Sequence, residues 1–233
     1  MSKLLEARAL MVVLPGDAGD VRVLDGVSFE VARGEIVDVV GPSGSGKSTF
    51  LRALARLLPG ATGTLLHDGV PAESIGPQQW RASVALLPQK PVLVTGTVRD
   101  NLLLPWRFAA RRGTIAPGDT KLAEGLTRLG VDAALDRDAA RLSVGQAARV
   151  AFLRTMLTAP SVLLLDEPDA ALDDIAADEV AALIAEFASA PAAPAGGGGA
   201  GAVVRVRHHR SDGLATRRMR LEHGHLTAEE TSR

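Results

Sequence analysis

The chain has 233 residues, 46% of them hydrophobic, and a formal net charge of −1. That supports one large α/β domain or two small ones with a sizeable core, and gives no electrostatic case for a nucleic-acid partner. Cysteine is absent, which excludes a disulfide framework and thiolate metal sites and fits a reducing compartment. No apolar run reaches the roughly 18 residues a membrane-spanning helix needs. The opening "MSKLLEARALMVVLPGD" has an apolar patch, but Glu6 interrupts it and no small-residue cleavage site follows, so no secretory leader is expected. A soluble, cytoplasmic chain is expected, with any membrane role supplied by a separate partner.

In chain order, residues 1–35 read as short strands and turns. "VRVLDGVSFEV" alternates, with Val21, Val23, Val27, Phe29 and Val31 as its apolar members and Asp25-Gly26 as a turn. "EIVDVV" (35–40) is a short buried strand. "KSTFLRALARLL" (47–58) follows as a helix with Phe50, Leu51, Leu54, Leu57 and Leu58 on one face, stopped by Pro59-Gly60. Residues 61–88 mix strand and turn, and 92–155 read as mostly helical. "SVLLL" (161–165) is a second buried strand, and "DIAADEVAALIAEFASA" (174–190) an amphipathic helix. "PAAPAGGGGAG" (191–201) is a flexible linker. "AVVRV" (202–206) is a third strand, in which Arg205 is odd for a buried position, and 213–227 fits a closing hairpin. Strands alternating with helices predict a mainly parallel sheet.

Between the strand at 35–40 and the helix at 47 lies "GPSGSGKST": Gly41, Pro42, Ser43, Gly44, Ser45, Gly46, Lys47, Ser48 and Thr49. The spacing Gly-x4-Gly-Lys-Ser, with a strand before and a helix after, is the phosphate-loop pattern. Glycines let several N–H groups face one centre, and the helix start adds a positive dipole end. Lys47 can reach terminal phosphates and the Ser48 hydroxyl can ligate Mg²⁺. At the end of "SVLLLDE", Asp166 is placed to hold Mg²⁺, and Glu167 to orient or deprotonate a water; a plain acidic helix cap is the bland alternative. "LSVGQ" (142–146) opens a helix in which Ser143 and Gln146 have capping-box spacing. Gln89 and His208 each follow an apolar strand and can face a terminal phosphate.

Together these motifs resemble the ATP-binding-cassette (ABC) ATPases over nearly the whole chain. Residues 41–49 resemble the Walker A loop, 162–167 Walker B with its glutamate, Gln89 the Q-loop, and Ser143, Val144, Gly145 and Gln146 the signature. "AALD" (170–173) resembles the D-loop and His208 the switch histidine. The resemblance implies a P-loop NTPase fold: a mainly parallel core sheet, an N-terminal antiparallel β subdomain (both within about 4–90 and 156–228) and a helical signature subdomain (about 91–155), forming one domain over 4–228. It implies ATP and Mg²⁺ as ligands, with Ser48, Gln89 and Asp166 on the metal. Catalysis falls to Glu167, His208 and Gln89. It also implies an ATP-induced homodimer in which the signature meets the partner's nucleotide, no nucleic acid, and an integral membrane permease that holds the chain at the inner face of the cell membrane. "TGTVRDNLLLPWRFAARRG" (95–113) resembles the ATP-binding subunits of Fet-type iron exporters; Trp106 and Phe108 read as core of the helical lobe, with a face toward the permease as the alternative.

The chain departs from the family in three places. It has no tyrosine and no aromatic before Phe29, which fits the core, so adenine is expected on Val12, Val13 or Arg22. Val144 stands where the signature has its first glycine, and Asp38 sits mid-strand with no account from sequence. The arginines between 205 and 220 read as a solvated face, with a nucleic-acid patch as the alternative. The competing readings are a phosphate or other solute importer, a soluble non-transport ABC ATPase of repair or translation type, and a nucleotide-gated regulator with weak turnover, against which Glu167 argues.

Overall fold

The computed structural model describes residues 3–16, 19–190, 200–207 and 212–229. Its centre is a six-stranded sheet in the order β10-β9-β3-β8-β7-β6, built from β3 (Ile36–Val40), β6 (Val84–Leu87), β7 (Val162–Asp166), β8 (Ala202–Val206), β9 (Arg217–Glu222) and β10 (His225–Ala228). All pairings are parallel except the β9–β10 hairpin. The interior strands β7 and β8 are buried along their whole length, which is why they read as near-continuous apolar runs, interrupted only by Asp166 and Arg205, rather than alternating ones.

Alternate residues serve two cores. Val37, Val39, Leu164, Val204 and Val206 face the first, which holds α1 (Lys47–Leu54) and the antiparallel sheet β2-β1-β4-β5. That sheet consists of β1 (Lys3–Leu14), β2 (Val21–Ala32), β4 (Thr62–His67) and β5 (Val70–Pro71). Ile36, Leu163, Leu165 and Val203 face the second, with α3 (Val98–Leu102), α4 (Asp119–Arg128), α5 (Val144–Leu157) and α6 (Asp174–Ser189). Phe29 lies in the first core, edge-on to Phe50 at 5.3 Å.

Three local expectations change. Asp25-Gly26 is no turn: β2 runs through it, and Gly26 at φ 67 absorbs an extra residue as a bulge against β1. The helix expected over 47–58 ends at Leu54, because Arg56 adopts φ 55 and closes a Schellman motif, with Arg56 N–H to Ala53 O at 3.0 Å and Leu57 N–H to Arg52 O at 2.9 Å. Arg56 tolerates a position glycine usually fills because its guanidinium reaches the carbonyls of Ala72 and Ile75. The stretch 92–155 is three helices separated by loops and single 3₁₀ turns, and a further helix, α2 (Pro77–Ser83), precedes β6.

Asp38 and Arg205 now have a reason. They are direct partners on the adjacent parallel strands β3 and β8, on the face toward the second core. Arg205 Nε donates to Asp38 Oδ1 at 2.7 Å, with side-chain exposures of 1% and 2%. Asp212 takes the other edge of the same guanidinium at 2.7 and 3.1 Å, and these contacts hold its carboxyl down to about 2 against the cost of burial. The expected solvated arginine face therefore fails at Arg205 and Arg207, both buried. A buried pair is costly to break and cheap to replace whole. Asp38→Asn should lose about 3 kcal/mol in urea unfolding, while Asp38→Leu with Arg205→Met should regain most of it.

Candidate functional site

β3 ends at Val40 and the chain turns at once into the glycine-rich loop. Gly41, Gly44 and Gly46 have φ of 150, 77 and 98°. A Cβ on Gly41 would lie 2.2 Å from the Leu221 carbonyl oxygen, and one on Gly46 2.7 Å from Val23 Cγ1. The loop is thus wedged between β9 and β2 and admits only glycine at both ends. Pro42, Ser43 and Gly44 form its solvent-facing crest, and the Ser45 hydroxyl is buried without a hydrogen-bond partner. α1 starts at Lys47 with Gly46 as N-cap and no side-chain cap, so its first N–H groups point into the loop unsatisfied. Thr49 lies in that first turn.

Lys47 is buried, and its ammonium donates to the Gly41 and Pro42 carbonyls at 2.8 Å each. Burial pushes its pKa down, opposed by the charges of Glu167 and Asp166. Ser48 Oγ donates to Asp166 Oδ1 at 3.1 Å, across from the end of β7. Burial raises the Asp166 carboxyl, the Ser48 hydrogen bond lowers it and the Glu167 charge raises it again. A buried, crowded carboxylate beside a hydroxyl is the donor set that a hard divalent cation relieves. Uncapped N–H groups, an orphaned hydroxyl and a caged ammonium around one loop fit a polyphosphate.

Glu167 follows β7 at φ 52, a left-handed conformation unusual for a non-glycine residue. Gln89, two residues beyond β6, donates from Nε2 to Glu167 Oε2 at 2.8 Å. The ends of β3, β6 and β7 therefore bring Lys47, Ser48, Gln89, Asp166 and Glu167 together. His208 lies outside the described residues, as does most of the 191–201 linker.

Ser143, Val144, Gly145 and Gln146 open α5. The Ser143 hydroxyl accepts from Gln146 N–H at 3.2 Å, and the Gln146 side chain accepts from Ser143 N–H at 3.1 Å, a complete capping box. The Ser143 proton stays available to donate, and Val144 is 78% exposed at the tip. A Cβ on Gly145 would lie 3.2 Å from the Ala171 carbonyl oxygen, so the tip packs on the turn after Glu167. In 95–113, Asp100 caps α3 together with Thr97, and buried Asn101 ties down Val94 and Thr97. That Asp-Asn pair holds the loop in shape through these hydrogen bonds. Trp106 is half-buried, but Phe108 is 59% exposed, against the expectation that it is core. The sequence reading missed Asp169 and Arg207, which join each other in an ion pair beside Glu167; one lies in the turn after β7 and the other just past β8, so no local pattern links them.

A profile described as ABC transporter matches residues 24–170. Protein STAR1 of Oryza sativa subsp. japonica is 44% identical over 68% of this chain and 45% of its own length, so the match spans under half of that relative. The probable iron export ATP-binding protein FetA of Escherichia coli (strain K12) is 37% identical over 67% of this chain and 68% of its own length. A dimeric bacterial ABC transporter cassette has the same fold, with a TM-score of 0.83 over 99% of both chains at 23% identity. On the profile match over residues 24–170 and the similarity to FetA, the chain belongs to the ABC transporter family and carries its ATP-hydrolysing domain.

Proposed function

We propose that the chain, as one ATPase domain over 4–228, powers a separate integral membrane permease from the cytoplasmic face of the membrane, with metal (iron) export as its transport task. The convergence of Lys47, Ser48–Asp166 and Gln89–Glu167 at one edge of the sheet carries the ATPase reading. The similarity to FetA supports the export task. Among the described residues no helix is long and apolar enough to cross a membrane, which suits a subunit driven through a partner.

In this reading the 41–49 loop and the α1 start hold the triphosphate, with Lys47 turning from its own loop carbonyls to phosphate oxygens. Ser48, Asp166 and Gln89 would hold Mg²⁺, which would neutralise phosphate charge. Glu167 accepts the proton of the attacking water; Gln89, already hydrogen-bonded to it, orients the carboxylate and reports its state to the rest of the chain. His208 would steady the terminal phosphate. Ser143, Val144, Gly145 and Gln146 serve the site of a second copy, so ATP binding closes a homodimer and hydrolysis reopens it.

A groove of about 610 Å³ lies between β6 and the helical layer, lined by Leu57, Leu86, Leu104, Phe108 and Thr155 among others. Leu57 and Phe108 are 46% and 59% exposed there. We assign it to a helical segment of the permease, because its β6 wall runs directly into Gln89.

The base site is unusual. Val12 is buried at 1% and unavailable, whereas Val13 at 38% and its cross-strand partner Arg22 are open. An aliphatic and a guanidinium surface discriminate poorly between purines, because neither reads the ring's edge. ATP and GTP dissociation constants measured by calorimetry should agree within about tenfold; a strong ATP preference would refute the platform. Glu167→Gln should lower kcat by about 10²-fold or more with ATP still bound, and Lys47→Ala should abolish turnover.

A further inference from the structure

Five charged side chains form a continuous chain of ion pairs on the α6 side of the sheet. Asp38 and Asp212 hold Arg205 from opposite edges. Asp212 also pairs with Arg207, whose second nitrogen donates to Asp169 Oδ2 at 2.6 Å. Arg207 directly follows β8 and is 8% exposed; Asp169 lies two residues beyond Glu167 and is 29% exposed. Asp38, Arg205, Asp212 and Arg207 already sum to zero formal charge. The Asp169 carboxylate is therefore surplus to neutralising the buried arginines, and what it adds is an attachment.

What it attaches is the Glu167 turn. Glu167 N–H donates to the Val206 carbonyl at 3.2 Å, and the Glu167 carbonyl accepts from Ala170 N–H at 3.3 Å. Adjacent residues of one strand end thus grip the turn on both sides of its left-handed residue, Val206 through backbone and Arg207 through its side chain. A left-handed non-glycine residue relaxes unless its surroundings hold it. The far end of the same turn presents Ala171 to Gly145 of the signature helix.

We propose that Arg207 and Asp169 are a positioning pair for ATP hydrolysis: the ion pair fixes the turn that aims the Glu167 carboxylate and seats the signature tip. The inference rests on Glu167 as the base. Steady-state ATPase kinetics, nucleotide affinity and Tm of the full chain test it with Asp169→Asn and the charge-retaining Asp169→Glu. Asp169→Asn should lower kcat about tenfold with KM for ATP within about twofold, because a misaimed base slows chemistry without touching the phosphate loop. ATP affinity and Tm should stay at the wild-type value, and Asp169→Glu should recover kcat to within about threefold. Wild-type kcat in Asp169→Asn, or a loss matched by a fall in Tm or in ATP affinity, overturns the proposal. If Glu167→Gln is inactive while Asp169→Asn is fully active, the positioning pair alone is lost; if Glu167→Gln turns over normally, the assignment of the base fails first.

Discussion

Everything in this molecule depends on parallel strands ending along one edge of one sheet. β3, β7 and β6 deliver the phosphate loop, the two carboxylates and Gln89 from segments far apart in sequence. Parallel pairing makes this possible, because each strand must return over the sheet's face and all of them point the same way. The cost is a sheet whose central strands are buried on both faces and need two separate cores, and both are present. Asp166 is then placed by strand register, while Gln89 and Glu167 sit just past their strand ends and depend on the turns that follow.

That edge carries two buried charges of opposite sign, Lys47 and Asp166. Lys47 is desolvated yet held by carbonyls, and Asp166 is desolvated yet held by a hydroxyl. Each charge is under-satisfied in its own way: burial lowers the ammonium pKa and raises the carboxyl pKa. A ligand carrying phosphate and a divalent ion relieves both at once. The signature tip is the reverse case, a helix start fully capped by its own residues but carrying an exposed Val144 and a hydroxyl proton to spare.

Much of this was legible in the sequence. The buried strands, the glycine-rich loop between β3 and α1, α6 and the closing hairpin could be read because local pattern and tertiary role agree. The capping box at Ser143 and Gln146 was legible for the same reason, and the structure forms it. The failures have physical causes. Asp25-Gly26 carries a turn signature, but the long β1–β2 ladder overrides it and converts it into a bulge. Leu57 and Leu58 continue a helical period, but Arg56 finds carbonyl partners that make a left-handed stop worthwhile. Asp38 looked anomalous alone; its explanation is Arg205, 167 positions away, and no local rule pairs them. Arg207 and Asp169 were hidden likewise, one beside a histidine motif and one inside an acidic turn.

The central claim is that one chain does not complete a site: Lys47 and Glu167 lie at the sheet edge, while the signature tip of α5 is presented outward. The most direct test is the solution mass of the Glu167→Gln chain by light scattering, with and without Mg-ATP. The account predicts a shift from about the 24.2 kDa monomer to twice that mass on adding Mg-ATP, reversed by chelating the metal. A chain that binds Mg-ATP and remains monomeric at every concentration tested would contradict it.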